Sequence, residues 1–269
     1  MSCPMVTEVA TVSPSRFLQL LADEERWRLL RELARSDRKV SELTRLVGRP
    51  QNLVSYHLAS LRNAGIVSAR RSSADRRDTY YRLDVRRCAD SLCGVGSALQ
   101  PGLSLDVVVP LTLDGRPPRR RPSVLFLCTG NSARSQMAEA LLEQRSGGTI
   151  RARSAGSHPK PLHPNAVRVM AELGIDISTR TTKHLERFIQ TQFDRVITLC
   201  DKLREICPEF HGAAVTAHWS MPDPASEGPT DETSYPAFRR TAEELESRIP
   251  FLISELTCAQ RGETSNESQ

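Results

Sequence analysis

Cys128 and Arg134 are separated by five small or polar residues, Thr129, Gly130, Asn131, Ser132 and Ala133, and Ser135 follows. A loop of this length between a strand end and a helix start turns several backbone N–H groups inward and forms an anion nest. The helix N-terminus and the Arg134 guanidinium favour thiolate over thiol at Cys128, which makes it a nucleophile at neutral pH. Arg134 can also clamp a tetrahedral oxyanion through two parallel hydrogen bonds. Ser135 can donate a hydrogen bond to the thiolate, and Asn131 can brace the loop through its amide. The chemistry expected is attack of a thiolate on a tetrahedral oxyanion.

The chain has seven cysteines, at 3, 88, 93, 128, 200, 207 and 258. The number is odd, and the N-terminus shows no basic start followed by an apolar core, so no signal peptide is expected. Both points argue against structural disulfides and for catalytic, redox or metalloid-binding thiols. In "TLCDKLREICPEF", Cys200 stands at a strand end with Cys207 seven residues on. Helical geometry would hold their Cα atoms roughly 10 Å apart. A disulfide needs about 4.4–6.8 Å. If these two pair, segment 200–208 must be irregular or must unwind during turnover.

The elements around the loop follow from periodicity. "VLFLC" is a continuous apolar run, as in a buried parallel strand, and "ARSQMAEALLEQR" reads as a helix. "IRARSAG" is a strand, "HPNAVRVMAELG" a helix and "DRVITLC" a strand. "AAVTAHW" is a fourth strand, and "YPAFRRTAEELESRIPFLISELT" a long closing helix. Alternating strand and helix specifies an α/β domain with a parallel sheet.

Upstream the pattern is mostly helical. "SPSRFLQLL" and "DEERWRLLRELARS" have helical apolar spacing, the second opened by Asp23 as N-cap. "VSELTRLVG" ends at Gly48, and "RPQNLVSYHLASLRNAGI" ends at Gly65. "IVSARR" and "TYYRL" are short strands around a polar hairpin. Two short helices joined at Gly48-Arg49-Pro50 suggest a helix-turn-helix, whose second helix enters the major groove by its N-terminal residues. Those are Gln51, Asn52, Ser55, Tyr56 and His57, all able to hydrogen-bond base edges or phosphates. Arg70, Arg71, Arg76 and Arg77 of the hairpin could straddle the backbone as a wing. Leu53, Val54, Leu58 and Leu61 are expected in the core.

This N-terminal segment resembles the ArsR-type winged helix-turn-helix repressors over roughly residues 15–85, on "LADEERWRLLRELA", "VSELTRLVG", "NLVSYHLASLRNAGIVSARR" and "YYRL". The resemblance implies a homodimer on palindromic double-stranded operator DNA, released by a bound metal or metalloid. The family's arsenic sensors often carry a cysteine pair where this chain has Lys39 and Ser41. Cys88 and Cys93 are the nearest substitutes, with Cys3 able to join from the tail. Five residues apart on a helix, Cys88 and Cys93 point about 140° from each other, unless Gly94 and Gly96 break it or a partner subunit supplies a ligand. Cys88 also falls on the stripe Val85, Cys88, Leu92, Val95 and Leu99, so a packed cysteine in a dimer helix competes with the sensor reading.

Residues 123–257 resemble the superfamily of low-molecular-weight protein tyrosine phosphatases and thioredoxin-coupled arsenate reductases. The motifs are "VLFLCTGNSARSQMAEALL", "RSAGSHPKPLHPNAVRVMAELGIDIS", "DRVITLC" and "HWSMPDPA". Asp223 before Pro224 matches the family's general acid. The Cys200 and Cys207 pair resembles the reductase branch and implies a relay. Cys128 forms an arseno-thiol adduct, Cys200 attacks it and releases arsenite, and Cys207 attacks the resulting disulfide. Thioredoxin reduces the Cys200–Cys207 disulfide. Asn131, Glu139 and Ser154 match positions that bind a monovalent cation in some relatives, but Lys183 stands where an acidic ligand would be. Its ammonium can replace the ion, so no potassium dependence is expected. His218 and Trp219 read as packing around the Asp223 loop.

The fold class expected is therefore two domains: a mainly α winged helix-turn-helix, then a three-layer α/β domain with a central parallel four-stranded sheet, phosphatase-like. The boundaries expected are a disordered tail 1–14, a DNA-binding and dimerisation domain 15–99, a Pro/Arg-rich linker 100–122, a catalytic domain 123–258 and a disordered tail 259–269. A short strand at 105–111 is a further expectation. Residues 1–122 hold 21 Lys and Arg against 13 Asp and Glu, whereas residues 123–269 hold 16 against 19. The basic excess thus belongs to the part read as binding nucleic acid. No apolar run approaches the roughly 20 residues that span a bilayer, so no membrane partner and a cytoplasmic location are expected. The function expected is arsenate reduction joined to arsenic-responsive repression, with no bound cofactor and thioredoxin as electron donor. The competing readings are a tyrosine phosphatase fused to a DNA-binding domain, and a regulator that senses oxyanion or redox state without catalysis.

Overall fold

The computed structural model describes residues 12–100, 103, 121–206 and 213–266. Most of the linker, the expected strand at 105–111, Cys3 and Cys207 lie outside the described residues. The chain divides into two compact units. One comprises Met1–Ala34, Arg38–Ala69 and Tyr81–Val108; the other comprises Arg35–Asp37, Arg70–Tyr80 and Val109–Gln269.

The N-terminal elements are α1 (Pro14–Leu21), α2 (Glu24–Arg35), β1 (Arg38–Lys39), α3 (Val40–Val47), α4 (Gln51–Asn63), β2 (Val67–Arg71), β3 (Thr79–Leu83) and α5 (Val85–Leu99). Asp23 caps α2: its Oδ1 accepts from Arg26 N at 2.9 Å, satisfying one of the free donors at a helix start. α3 ends at Gly48, whose φ of +67° is the left-handed stop that glycine adopts without strain. Leu29, Leu33, Leu43, Val54, Leu58, Leu61 and Ile66 form the apolar centre of this region. The three strands form one small sheet in the order β1-β3-β2.

α5 runs unbroken through Cys88, Cys93, Gly94 and Gly96. The glycines do not interrupt it. Gly96 is small because a β carbon there would come within 2.2 Å of the Leu103 carbonyl oxygen. Pro14, placed in the tail by sequence, is the first residue of α1, a position where proline's missing N–H costs nothing.

The C-terminal elements are β4 (Ser123–Cys128), α6 (Arg134–Arg145), β5 (Arg151–Gly156), α7 (Pro164–Glu172), β6 (Phe193–Thr198), α8 (Asp201–Ile206), β7 (Ala213–His218) and α9 (Asp231–Asn266). The sheet is four-stranded in the order β5-β4-β6-β7, and every pairing is parallel. All six residues of β4 are buried, as a strand covered on both faces requires. α6 is buried from Arg134 to Leu142 and packs on β4, β5 and α9.

α8 is a regular helix over Asp201–Ile206, so of the two courses expected for segment 200–208 the described part would have to unwind. One extent differs from expectation. α9 starts at Asp231 and continues to Asn266, through most of the tail expected to be disordered. Once nucleated, a helix gains one hydrogen bond per added residue, so a polar extension of a packed helix can persist.

No described helix is long and apolar enough to cross a membrane.

Candidate active site and candidate nucleic-acid interface

β4 delivers Cys128 to the C-terminal edge of the sheet, and α6 begins at Arg134. β4 leads to β5 on one side and has β6 on the other. The loop therefore opens at the point where strand order reverses, the usual place for a ligand in an open α/β sheet.

The loop is held from outside. The carbonyls of Thr129, Gly130 and Ser132 accept from the backbone N–H groups of His158, Lys160 and His163, each at 2.9 Å. With those carbonyls turned outward, the loop's own N–H groups are left to face inward, and Asn131 N donates to Cys128 Sγ at 3.2 Å. Asn131 has a φ of +46°. A non-glycine residue in that region signals a functional constraint, and the side chain is locked from every side. Its Nδ2 donates to Ser135 Oγ at 2.9 Å and to Ser154 Oγ at 2.8 Å. Its Oδ1 accepts from Lys183 N at 2.7 Å and from Gln136 Nε2 at 3.2 Å. Gly156 is required beside it: a β carbon there would lie 2.6 Å from Thr129 O and 2.8 Å from Asn131 N.

Cys128 Sγ lies 2.9 Å from Ser135 Oγ. Because Asn131 already donates to that hydroxyl, the serine proton is free to point at the sulfur. Arg134 is buried, donates to Met221 O at 3.1 Å and stands 3.4 Å from Asp223 Oδ1. Asp223 is half exposed at the mouth of the loop. Behind the loop, Lys183 Nζ lies 3.0 Å from Glu139 Oε2, with Arg180 3.6 Å from Oε1, and Ser154 donates to the same carboxylate.

Cys200 reaches this site through strand register. Leu127 of β4 is level with Thr198 of β6, and Leu199 N donates to Leu127 O at 2.7 Å. The two cysteine-bearing strand ends are therefore neighbours. Cys200 is buried, and its Sγ lies 3.1 Å from Thr129 Oγ1 and 3.4 Å from Leu203 N. Burial pushes the Cys200 thiol up, against the pull of the Arg134 charge and the Thr129 hydroxyl.

Sequence reasoning missed Asp201. Its carboxylate is fully buried and bonded to His218, Ser220, Arg70 and Ser73. Burial raises its pKa, but these hydrogen bonds and the Arg70 charge outweigh it and hold the carboxyl well below the usual range. The only sequence signal is an aspartate directly after a strand-end cysteine, which also reads as an ordinary helix start. His218 is more than packing: it bridges Thr198 and Asp201.

In α4, Gln51, Asn52, Ser55 and Tyr56 are exposed, Tyr56 by 68%. His57 is not: it is buried, 3.7 Å from Asp23 and edge-on to Tyr56. Helical spacing puts it on the inner stripe with Val54, Leu58 and Leu61, and Leu53, expected in the core, falls outside that stripe and is 36% exposed. Arg71, Arg76 and Arg77 are exposed, although Arg77 is paired with Asp75 at 2.8 Å. Arg70 is engaged by Asp201 and Ser220.

Cys88 is partly covered, and burial together with Asp84 pushes its thiol up to about 12. On the unbroken α5 it does not face the same way as Cys93. Among the described residues no group of three or more His, Cys, Asp or Glu side chains could hold a metal ion.

The sequence profile described as "Low molecular weight phosphotyrosine protein phosphatase" matches residues 123–261. The profile described as "Bacterial regulatory protein, arsR family" matches residues 23–69. The chain is 40% identical over 126 residues to an arsenate reductase of Halalkalibacterium halodurans, covering 47% of this chain and 91% of that protein. An arsenate reductase of Bacillus subtilis gives the same identity and coverage. A solved structure described as an arsenate reductase in the phosphate binding state is 33% identical, with a TM-score of 0.44, covering 50% of this chain and 98% of that one.

Proposed function

We propose that this chain, which belongs to the low molecular weight phosphotyrosine protein phosphatase family and carries an arsR-family module, reduces arsenate to arsenite and represses transcription from an operator. The observation that carries the reductase reading is the second buried thiol, Cys200, one hydroxyl away from the Cys128 loop. A phosphatase has no use for it. The names of the relatives, arsenate reductases at 40% identity, point the same way.

In this reading the inward N–H groups and Arg134 bind arsenate. The Cys128 thiolate attacks arsenic, an arsenic–oxygen bond breaks, and Asp223 protonates the oxygen that leaves as water. Cys200, as thiolate, then attacks Cys128 Sγ. The electron pair of the sulfur–arsenic bond stays on arsenic, which departs as arsenite, and a Cys128–Cys200 disulfide forms. Cys207, outside the described residues, attacks Cys200 and frees the Cys128 thiolate. Thioredoxin returns two electrons to the Cys200–Cys207 disulfide. The raised Cys200 thiol must first lose its proton, and the Arg134 charge and Thr129 hydroxyl favour that loss.

The N-terminal part, 15–99, is in this reading the DNA-binding and dimerisation module and 123–258 the catalytic one. Gln51, Asn52, Ser55 and Tyr56 meet the major groove, and Arg71, Arg76 and Arg77 meet phosphates. Leu92 and Leu99 on α5, 43% and 75% exposed, suit a homodimer face. Multiple-turnover arsenite release from arsenate, with thioredoxin, thioredoxin reductase and NADPH supplied, tests the enzyme reading. A single stoichiometric event per chain would instead mean a sensor without catalysis.

A further inference from the structure

Asp201 is the residue after Cys200 and the first residue of α8. Its Oδ1 accepts from Ser220 Oγ at 2.7 Å and faces His218 Nε2 at 3.1 Å. Its Oδ2 accepts from Arg70 Nη2 at 2.7 Å, Ser73 N at 2.7 Å and Ser73 Oγ at 3.0 Å. Arg70 also donates from Nε to Ser220 O at 3.3 Å and from Nη2 to the Ser220 hydroxyl. Three of the five bonds to this carboxylate thus come from residues 70–73, which belong to the same compact unit as Asp201.

None of these bonds is needed to hold an oxyanion in the loop 128–134. Their effect falls on the segment that must move. A fully buried carboxylate that loses its partners is strongly destabilised. Cys200 immediately precedes Asp201, so backbone movement that carries it away from the start of α8 pulls on that carboxylate. Unwinding α8 to bring Cys200 within disulfide distance of a residue seven positions on therefore strains the bonds to Arg70 and Ser73. The Arg70 guanidinium is held here by Asp201, Ser220 and Arg71 O, so a DNA phosphate that drew it away would break the pair with Asp201.

We propose that Arg70 and Ser73 are positioning residues for Cys200, acting through Asp201, so that opening of the Cys200 segment and release of the 70–80 hairpin tip are one coupled event. The opening half rests on the relay reading; the holding half does not. By linkage, whatever draws Arg70 away loosens Cys200 by the same factor that opening loosens Arg70. Oxidation of the relay thereby frees a wing arginine, and DNA that captures this arginine eases Cys200 out.

Hydrogen exchange read by mass spectrometry on the full chain tests this, together with iodoacetamide labelling of Cys200. In the reduced protein, R70M and S73A should lose protection over 201–206 and label Cys200 faster, by roughly 5-fold or more. R70K should recover part of the wild-type behaviour, since an ammonium can still pair with Asp201. In wild-type protein treated with arsenate and no thioredoxin, residues 72–80 should lose protection. If R70M unfolds the domain, seen as lost protection in β4, S73A decides, because it removes only a hydroxyl. Wild-type protection and labelling in the folded variants would overturn the proposal. So would an oxidised protein that carries the Cys200–Cys207 disulfide and keeps 72–80 protected. If arsenate leaves Cys200 a free thiol by mass, the relay reading is what fails, and the reduced variants still judge the coupling.

Discussion

Cys200 Sγ lies 3.1 Å from Thr129 Oγ1, and Thr129 is the residue that follows Cys128. A second thiol is thereby buried against the oxyanion loop, held there by the parallel pairing of β4 with β6. That relationship separates a reductase reading from a hydrolase reading of the same loop.

The loop itself should still behave as a phosphatase loop. Arg134 is buried beside the loop, with one Nη bonded to Met221 O and the other 3.4 Å from Asp223. Replacing it with lysine removes the guanidinium fork, and kcat/KM for an aryl phosphate should fall about 10²-fold. D223N should lower kcat by about 10²-fold or more, the usual worth of a general acid. It should act least on an ester whose leaving group needs no proton. Steady-state hydrolysis of two aryl phosphates with different leaving groups checks both.

Lys183 and Arg180 neutralise Glu139 behind the loop at 3.0 and 3.6 Å. Turnover by the wild type should therefore be the same in potassium and in choline salts. K183M leaves a buried carboxylate with Arg180 as its remaining cation and should cost about 2 kcal/mol. Urea unfolding of the two proteins reads the difference.

Asp201 gives stability a definite pH dependence. Its folded carboxyl titrates well below the ordinary range, so the contribution is complete above the unfolded value of about 4. It is lost as the pH falls from there through the folded value. D201N should be less stable than wild type at pH 7, and the gap should narrow below about pH 4. Unfolding midpoints measured from pH 7 down to pH 3 would show the convergence.

The cysteines of α5 make a weak arsenite site if they act alone. Cys88, pushed up to about 12, should resist iodoacetamide at pH 8 while the exposed Cys258 labels readily. An operator gel shift should respond to arsenite equally in the wild type and in C88S/C93S. Loss of the response in the double variant would make these thiols the sensor, with ligands shared between subunits.

Much of this was readable along the chain because the signals are local. "VLFLC" is apolar at every position and became β4, and Asp23 and Gly48 bound their helices as short-range rules require. His57 was misplaced because a polar residue at a helix N-terminus reads as a groove contact, whereas its spacing from Val54 and Leu61 turns it inward. Asp201 was invisible for the opposite reason. Its partner Arg70 is 131 positions away, and no periodicity encodes such a pair. The outward carbonyls of the loop depend likewise on a segment, 158–163, whose sequence shows turns but not what they hold.

The most direct test of the central claim is arsenate-dependent NADPH oxidation with thioredoxin and thioredoxin reductase, measured on the wild type and C207S, with aryl-phosphate hydrolysis run in parallel. The relay predicts sustained oxidation by the wild type. In C207S it predicts collapse of that oxidation while hydrolysis persists. Undiminished arsenate reduction by C207S would contradict it.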